Sequence, residues 1–445
     1  MFYRKLLPFL WLLPTLACSL LAAPPRPTIP TPPPTAGAAI NFEDLVINPV
    51  GNVSTAVDPN IQALVNAVSR QNLFAYVQTL AGFGTRHSLS DPQRTDYGIG
   101  AARIWIYHEL QNVGGGRLDV RFDDFPMTYS GLVSNQQNVV ATLRGAGSYP
   151  GVIVLGAHYD SRSVDVSDGS SLAPGANDDA SGVALLIEVA RLMSSRTWNQ
   201  TVVFVAFAAE EQGTYGSFHF VQEMMLDNVL IDVMITNDIV GGHPGIPNSI
   251  RIFASGNDLS PSSDTARYMQ YVGGLYLLDF PVEYNQALDR EGRYSDHREF
   301  VNVGVGAVRL TESVEDYSVQ HTAADTAERL DYDYLTKATQ FNLAGIASMV
   351  GSPPRPPAPV VTAMADPGSF ILAWATEPTA VGYALSFRPV GTTQYPTLRF
   401  LNREDAGNVA ITGLDPSVTY AISLAALDSS GRLSLFSYPE VIVGP

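Results

Sequence analysis

The sequence predicts an α/β domain, with a mixed and mostly parallel central sheet sandwiched by helices, followed by a smaller all-β sandwich. Three observations carry this. Between two proline-rich breaks, short unbroken apolar runs alternate with segments of helical spacing. After the second break, apolar residues recur at every second position. The chain has 445 residues, 46% of them hydrophobic and 16% charged, which suits two or three packed domains and not a disordered polymer.

The chain opens with MFYRKLLPFLWLLPTLACSLLAAPP. Arg4 and Lys5 precede an apolar run, Leu6 to Ala17, that is short for a membrane span and fits the core of a signal peptide. Cys18 is the only cysteine and lies just past that core, so no internal disulfide is expected. TLAC resembles the lipobox of bacterial lipoproteins, which implies a lipidated Cys18 and a membrane tether. Thr15 and Leu16 depart from the usual lipobox, and ordinary cleavage near Ser19 or Ala22 is the alternative. Either route takes the chain out of the cytoplasm, as a secreted or envelope-anchored protein. Residues 1–18 are thus a leader and 19–57 a spacer whose PPRPTIPTPPPTAGAA is extended and semi-rigid. A second break, GSPPRPPAP, sets domain limits at 58–352 and 359–445 with a linker at 353–358.

Within 58–352, GVIVLGAHYD (Gly151–Asp160) reads as a strand covered on both faces. SGVALLIEVARLMSS (Ser181–Ser195) has helical spacing through Val183, Leu186, Ile187, Ala190 and Met193. QTVVFVAFAAEE (Gln200–Glu211) is a second buried strand, and SFHFVQEMM is helical. DVMITNDIVG, SIRIFASG and VGVGAVRLTES are further strands. In such alternating folds, ligands bind outside the carboxyl ends of the strands.

Those ends are acidic. The first strand closes on His158 and Asp160, the second on Glu210 and Glu211, and DVMITNDIVG contains Asp238. Asp178 and Asp179 stand in PGANDDASG, just before a helix. Clustered carboxylates repel one another, and burial raises the cost. Basic residues are nearly absent from these segments, Arg162 excepted, so a metal cation is the economical counter-charge; the imidazole favours zinc. The formal net charge of −17 argues against nucleic acid as a partner.

Taken in order, LAGFGTRHSLS, NVVATLRG, GAHYDS, PGANDDASGV, AAEEQGTYGS, TNDIVG, SDHREF and HTAADTAERLD resemble the co-catalytic di-zinc aminopeptidases, whose wider family includes glutamate carboxypeptidase, glutaminyl cyclase and the transferrin receptor ectodomain. The resemblance spans about residues 58–350. It implies a zinc exopeptidase fold with two zinc ions: His158, Asp178, Glu211, Asp238 and His321 as ligands, Asp178 shared, and Asp160 orienting His158. It also implies that Glu210 is the general base for a metal-bound water and that peptide or protein N-termini are the substrate. Gln320 stands where many relatives have tyrosine, and Arg298 where proline is common, which touches substrate preference and rate. Asp296 and His297 are expected near the pocket, not as ligands, and His87, His108, His219 and His243 match no ligand position.

Three other readings stay open. A carboxypeptidase needs an arginine for the substrate carboxylate, and Arg293, Arg298 and Arg309 are candidates. A glutaminyl cyclase uses the same ligand types. A non-catalytic ectodomain is the third, although such relatives lose ligands that are all present here. In residues 359–445, Phe370, Leu372 and Trp374 share a face, as do Tyr383, Leu385 and Phe387, and Tyr420, Ile422, Leu424 and Ala426. With LDPSVTY, this stretch resembles a fibronectin type III domain and carries no catalytic constellation.

Overall fold

A computed structural model gives the fold of residues 42–444. The leader, Cys18 and the proline-rich run to Ala39 lie outside the described residues. Eight strands form the larger sheet: β1 (Leu118–Tyr129), β2 (Leu132–Leu143), β3 (Gly151–His158), β4 (Thr201–Phe207), β5 (Leu230–Asn237), β6 (Ile250–Ala254), β7 (Val282–Asn285) and β8 (Gly306–Glu312). Their spatial order is β1-β2-β4-β3-β5-β8-β6-β7. The central β4-β3-β5-β8 block is parallel, as is the β6–β7 pair. β1 and β2 form an antiparallel hairpin that pairs antiparallel with β4, and β6 is antiparallel to β8.

The unbroken apolar runs of the central strands follow from having helices on both faces. In β3, Ile153, Leu155 and Ala157 face one core while Val154 faces the other; β4 splits likewise into Val202, Phe204 and Ala206 against Val203, Val205 and Phe207. The larger core is closed by α1 (Pro59–Asn66), α2 (Arg70–Gly82), α3 (Gly98–Gly114), α4 (Ser181–Met193), α6 (Pro261–Tyr276) and α8 (Tyr332–Gly351). The smaller is closed by α5 (Tyr215–Leu226) and α7 (His297–Asn302), with Phe220 and Phe300 against Phe207.

Beyond Gly351 the chain builds two small antiparallel sheets. One contains β9 (Val360–Ala363), β10 (Phe370–Ala373) and β13 (Val409–Ile411); the other contains β11 (Gly382–Pro389), β12 (Arg399–Asn402), β14 (Tyr420–Leu427) and β15 (Val441–Val443). The period-two faces read from the sequence meet in one core, where Leu372, Trp374, Tyr383, Leu385, Phe387, Tyr420, Ile422, Leu424 and Ala426 are buried together. The alternate positions Ala384, Ala425 and Leu427 join the larger α/β core. Residues 42–444 cluster as one compact unit, in which the C-terminal sheets pack on the α/β layer. Buried Arg388 of β11 binds Asp258, beside α6, at 2.7 Å, and also Glu440, while Tyr268 of α6 donates to the Leu433 carbonyl at 2.7 Å. Residues 42–57, expected as the end of a spacer, run along these sheets. Val46 bridges to Ile411, and the Ile47 amide donates to the Ala410 carbonyl at 3.0 Å. No described helix is long and apolar enough to cross a membrane.

Candidate metal centre and active site

Register gathers the acidic strand ends. His158, the last residue of β3, pairs with Phe207 at the end of β4, three residues before Glu210; on the other side Gly156 pairs with Thr236, two before Asp238. Three adjacent parallel strands therefore deliver His158, Glu210, Glu211 and Asp238 to one rim. Asp178 arrives from the segment that enters α4, and His321 from the loop between β8 and α8.

The side chains fall into two sets that share one residue. His158, Asp178 and Asp238 converge in one, and Asp178, Glu211 and His321 in the other. His158 Nε2 is 3.3 Å from Asp178 Oδ1 and 3.6 Å from Asp238 Oδ1. His321 Nε2 is 3.1 Å from Asp178 Oδ2 and 3.4 Å from Glu211 Oε1. Asp178 thus turns one oxygen to each set.

Neighbouring carboxylates hold these groups in place. Asp160 accepts from the amides of Glu210 and Glu211, each at 3.1 Å, and its carboxylate lies 3.6 Å from His158 Nδ1. The nearer partner of that nitrogen is the Asp160 carbonyl, at 3.1 Å. Asp160 therefore ties the β4 turn to the β3 end as well as facing His158. The adjacent aspartates of NDDASG take different partners. Asp178 faces both sets, while Asp179 accepts from the Gly182 amide in the first turn of α4 at 2.9 Å and from the His158 amide at 3.2 Å. Asp325 accepts from the amides of Asn177 and Asp178 at 2.8 and 3.0 Å.

The backbone is strained where these segments turn. Ala209, Ile239 and His321 have φ of 58°, 63° and 58°, in the left-handed region that residues with a Cβ avoid. One precedes Glu210, one follows Asp238 and one is itself in a set. Each costs on the order of 1–3 kcal/mol, a cost typical of functional sites.

Electrostatics match the geometry. Burial opposes the charge on Asp178, but His158 and His321 hold its carboxyl well below the usual range. Burial pulls His321 down, and the carboxylates of Asp178 and Glu211 more than offset it, raising it to about 9. Burial, with help from nearby Glu211 and Asp238, pushes Glu210 well above the ordinary glutamate value. A cavity of about 180 Å³ opens over the sets, bordered by Glu210, Arg162, Arg293 and Tyr294. The donors fit a divalent cation. They are imidazole nitrogens and carboxylate oxygens, and the buried atoms Glu211 Oε1 and His321 Nε2 receive no hydrogen bond from the protein.

Comparison with known proteins agrees. The profile of peptidase family M28 matches residues 138–346. A probable zinc metalloprotease of Pyricularia oryzae is 38% identical over 352 residues, 69% of this chain and 70% of that protein. The chain belongs to peptidase family M28. A second probable zinc metalloprotease, from Leptosphaeria maculans, is 31% identical over 88% of this M28 chain and 99% of its own length. The LapA aminopeptidase of Legionella pneumophila shares the fold, with a TM-score of 0.55 at 20% identity over 68% of this chain and 78% of that one. This M28 protein is a zinc-dependent metallopeptidase, with the α/β exopeptidase fold expected from its sequence.

The remaining candidates of this M28 peptidase separate clearly. Arg309 is fully buried in β8, 3.2 Å from Asp238 Oδ2 and paired with Asp289, so it is not available to a substrate carboxylate. Arg298 lies 3.8 Å from the Tyr294 ring and binds Glu299 and Thr214. Only Arg293 of those three borders the cavity. Gln320 donates to Glu315 at 3.0 Å. His297 is buried, its Nε2 2.7 Å from the Leu288 carbonyl, and burial lowers it to about 4. His87, His108, His219 and His243 belong to neither set. Sequence reasoning missed Asp179 and Asp325 as supports and Tyr294 as a cavity wall. Asp325 stands within the quoted HTAADTAERLD, but no pattern in the sequence shows which amides it meets.

Proposed function

We propose that this metallopeptidase is an exported aminopeptidase that binds two zinc ions, one at His158, Asp178 and Asp238 and one at Asp178, Glu211 and His321, and removes N-terminal residues from peptides. The observation that carries the reading is the division of Asp178, with Oδ1 3.3 Å from His158 Nε2 and Oδ2 3.1 Å from His321 Nε2. When bound, zinc supplies Lewis-acid polarisation of the scissile carbonyl and acidifies a water. Glu210 borders the same cavity and is the residue we assign to take the proton from the attacking water and return it to the leaving amine. Its burial favours holding a proton between those two steps. The acidic rim attracts a substrate ammonium group. Two of the three arginines considered for a substrate carboxylate, Arg309 and Arg298, are engaged elsewhere, which weakens the carboxypeptidase reading; Arg293 borders the cavity.

The test uses the purified protein and a library of peptides with free, N-acetylated or C-amidated ends, with and without chelator, read by mass spectrometry. Chelator-sensitive loss of single N-terminal residues that acetylation blocks is the expected result. Trimming blocked by amidation alone would instead mean a carboxypeptidase, and loss of ammonia or water from N-terminal Gln or Glu without cleavage a cyclase. As part of the same reading, Cys18 is the lipidation point of an envelope anchor, so Cys18→Ser is expected to move the protein from the membrane fraction to the medium. The two C-terminal sheets are read as a fibronectin type III-like module.

A further inference from the structure

The segment between β7 and α7 brings Gly292, Arg293 and Tyr294 to the cavity over the metal sets. The arginines around Arg293 are committed elsewhere. Arg290 meets Asp289 and Glu315, and Arg298 binds Glu299 while lying 3.8 Å from the Tyr294 ring. Arg162, the other arginine on the cavity wall, bonds Glu211 at 2.7 Å. Arg293 differs from these: its half-buried side chain has no ion pair and no hydrogen bond among the described residues. There is room beside it, since a Cβ added to Gly292 would meet no atom within 4 Å. The carboxylates on the same wall already have their roles. Asp178, Glu211 and Asp238 belong to the metal sets, and Glu210 is the assigned base.

We infer that Arg293 is a specificity residue that pairs with a substrate carboxylate beside the scissile bond, so that acidic or very short peptides are the preferred substrates. A guanidinium on the wall of a half-enclosed cavity, with no acid of its own, gains most from an anionic partner. Its bonds to a carboxylate are about twice as strong as those between neutral groups, and its planar fork matches both oxygens. The protein does not supply that partner, because the wall's carboxylates serve the ions and the attacking water. A substrate supplies it from one of three places: the side chain of its first residue, the side chain of its second, or the C-terminus of a dipeptide. Each lies within one residue of the bond that is cut, the region a side chain bordering this cavity meets. Arg298, stacked on Tyr294, steadies the same wall. The inference rests on the aminopeptidase reading and names its substrate class.

Zinc-loaded full-length protein and its Arg293→Gln and Arg293→Glu variants would be compared on three pairs of peptides: Glu-Ala-Ala-amide with Gln-Ala-Ala-amide, Ala-Glu-Ala-amide with Ala-Gln-Ala-amide, and Ala-Ala with Ala-Ala-amide. Release of the first residue gives a ratio of kcat/KM within each pair. The wild type is expected to favour the carboxylate member of at least one pair by about tenfold or more, and that pair identifies the source of the carboxylate. Arg293→Gln should bring this ratio to within about twofold of unity, and Arg293→Glu should remove or invert it. Binding without turnover is read by calorimetry in a Glu210→Gln background, where the same pair should differ in Kd and the difference should vanish with Arg293→Gln. Ratios near unity for all three pairs in the wild type, or a preference that survives in either variant, would overturn the inference alone. No release of an N-terminal residue from any of the peptides by the zinc-loaded wild type would overturn the aminopeptidase reading and the inference with it.

Discussion

Asp178 and His321 meet with Oδ2 and Nε2 3.1 Å apart, although one enters α4 and the other stands in the loop before α8. The contact joins the two metal sets, since the other oxygen of Asp178 faces His158. Asp178→Asn keeps the shape and removes the charge. Its metal content should fall to less than one ion per chain after dialysis, with affinity reduced more than about 100-fold, because even the outer partners of ligands are worth about 10–100-fold. Elemental analysis of the dialysed variant checks this.

Glu210 belongs to neither set yet borders the cavity. Glu210→Gln should retain wild-type metal content while kcat on a free N-terminal peptide falls by about 10²–10⁴. Loss of metal together with activity would instead make Glu210 a ligand.

Metal-free protein should respond to pH with a defined sign. His321 is raised to about 9 by Asp178 and Glu211 despite its burial. A histidine whose folded value lies above its unfolded value near 6.5 stabilises fully below that unfolded value. The contribution is lost as pH rises through about 9. Thermal midpoints in chelator should therefore fall between about pH 6.5 and 9. Zinc displaces the proton, so the loaded protein should lose this slope. A chelated protein whose midpoint rises across this window would contradict the assignment.

Arg388 anchors the C-terminal sheets to the α/β layer from a fully buried position between Asp258 and Glu440. Arg388→Met should destabilise by about 3–5 kcal/mol, because it leaves the Asp258 carboxylate without its cation and Glu440 with Arg267 as its remaining one. Chemical denaturation measures it. If the sheets were a free-standing module, the loss would appear in a separate C-terminal transition with the α/β transition unmoved.

Much of the fold was legible because both periodicities are strong. The runs at 152–157 and 202–209 hold only apolar residues and glycine, as suits a strand covered on two faces, and the structure divides each between two cores. Their acidic ends were legible as a cluster because parallel neighbours end on the same rim. The docking of the C-terminal sheets was not legible. Ala384 and Ala425 look like the unremarkable alternate positions of half-exposed strands, yet they are buried against the larger core.

The sequence by itself determined the element types, the strand-end positions of His158, Glu210, Glu211 and Asp238, and the need for a cation among them. These follow from local pattern and from the cost of uncompensated charge. Only the tertiary structure decided that Arg309 serves Asp238, that Arg162 serves Glu211, and that Asp325 holds the Asp178 loop. An arginine or aspartate has the same pattern in a sequence whether it faces solvent, substrate or a neighbouring ligand. Its partner is chosen by strand register and loop packing, which bring together residues far apart in the chain.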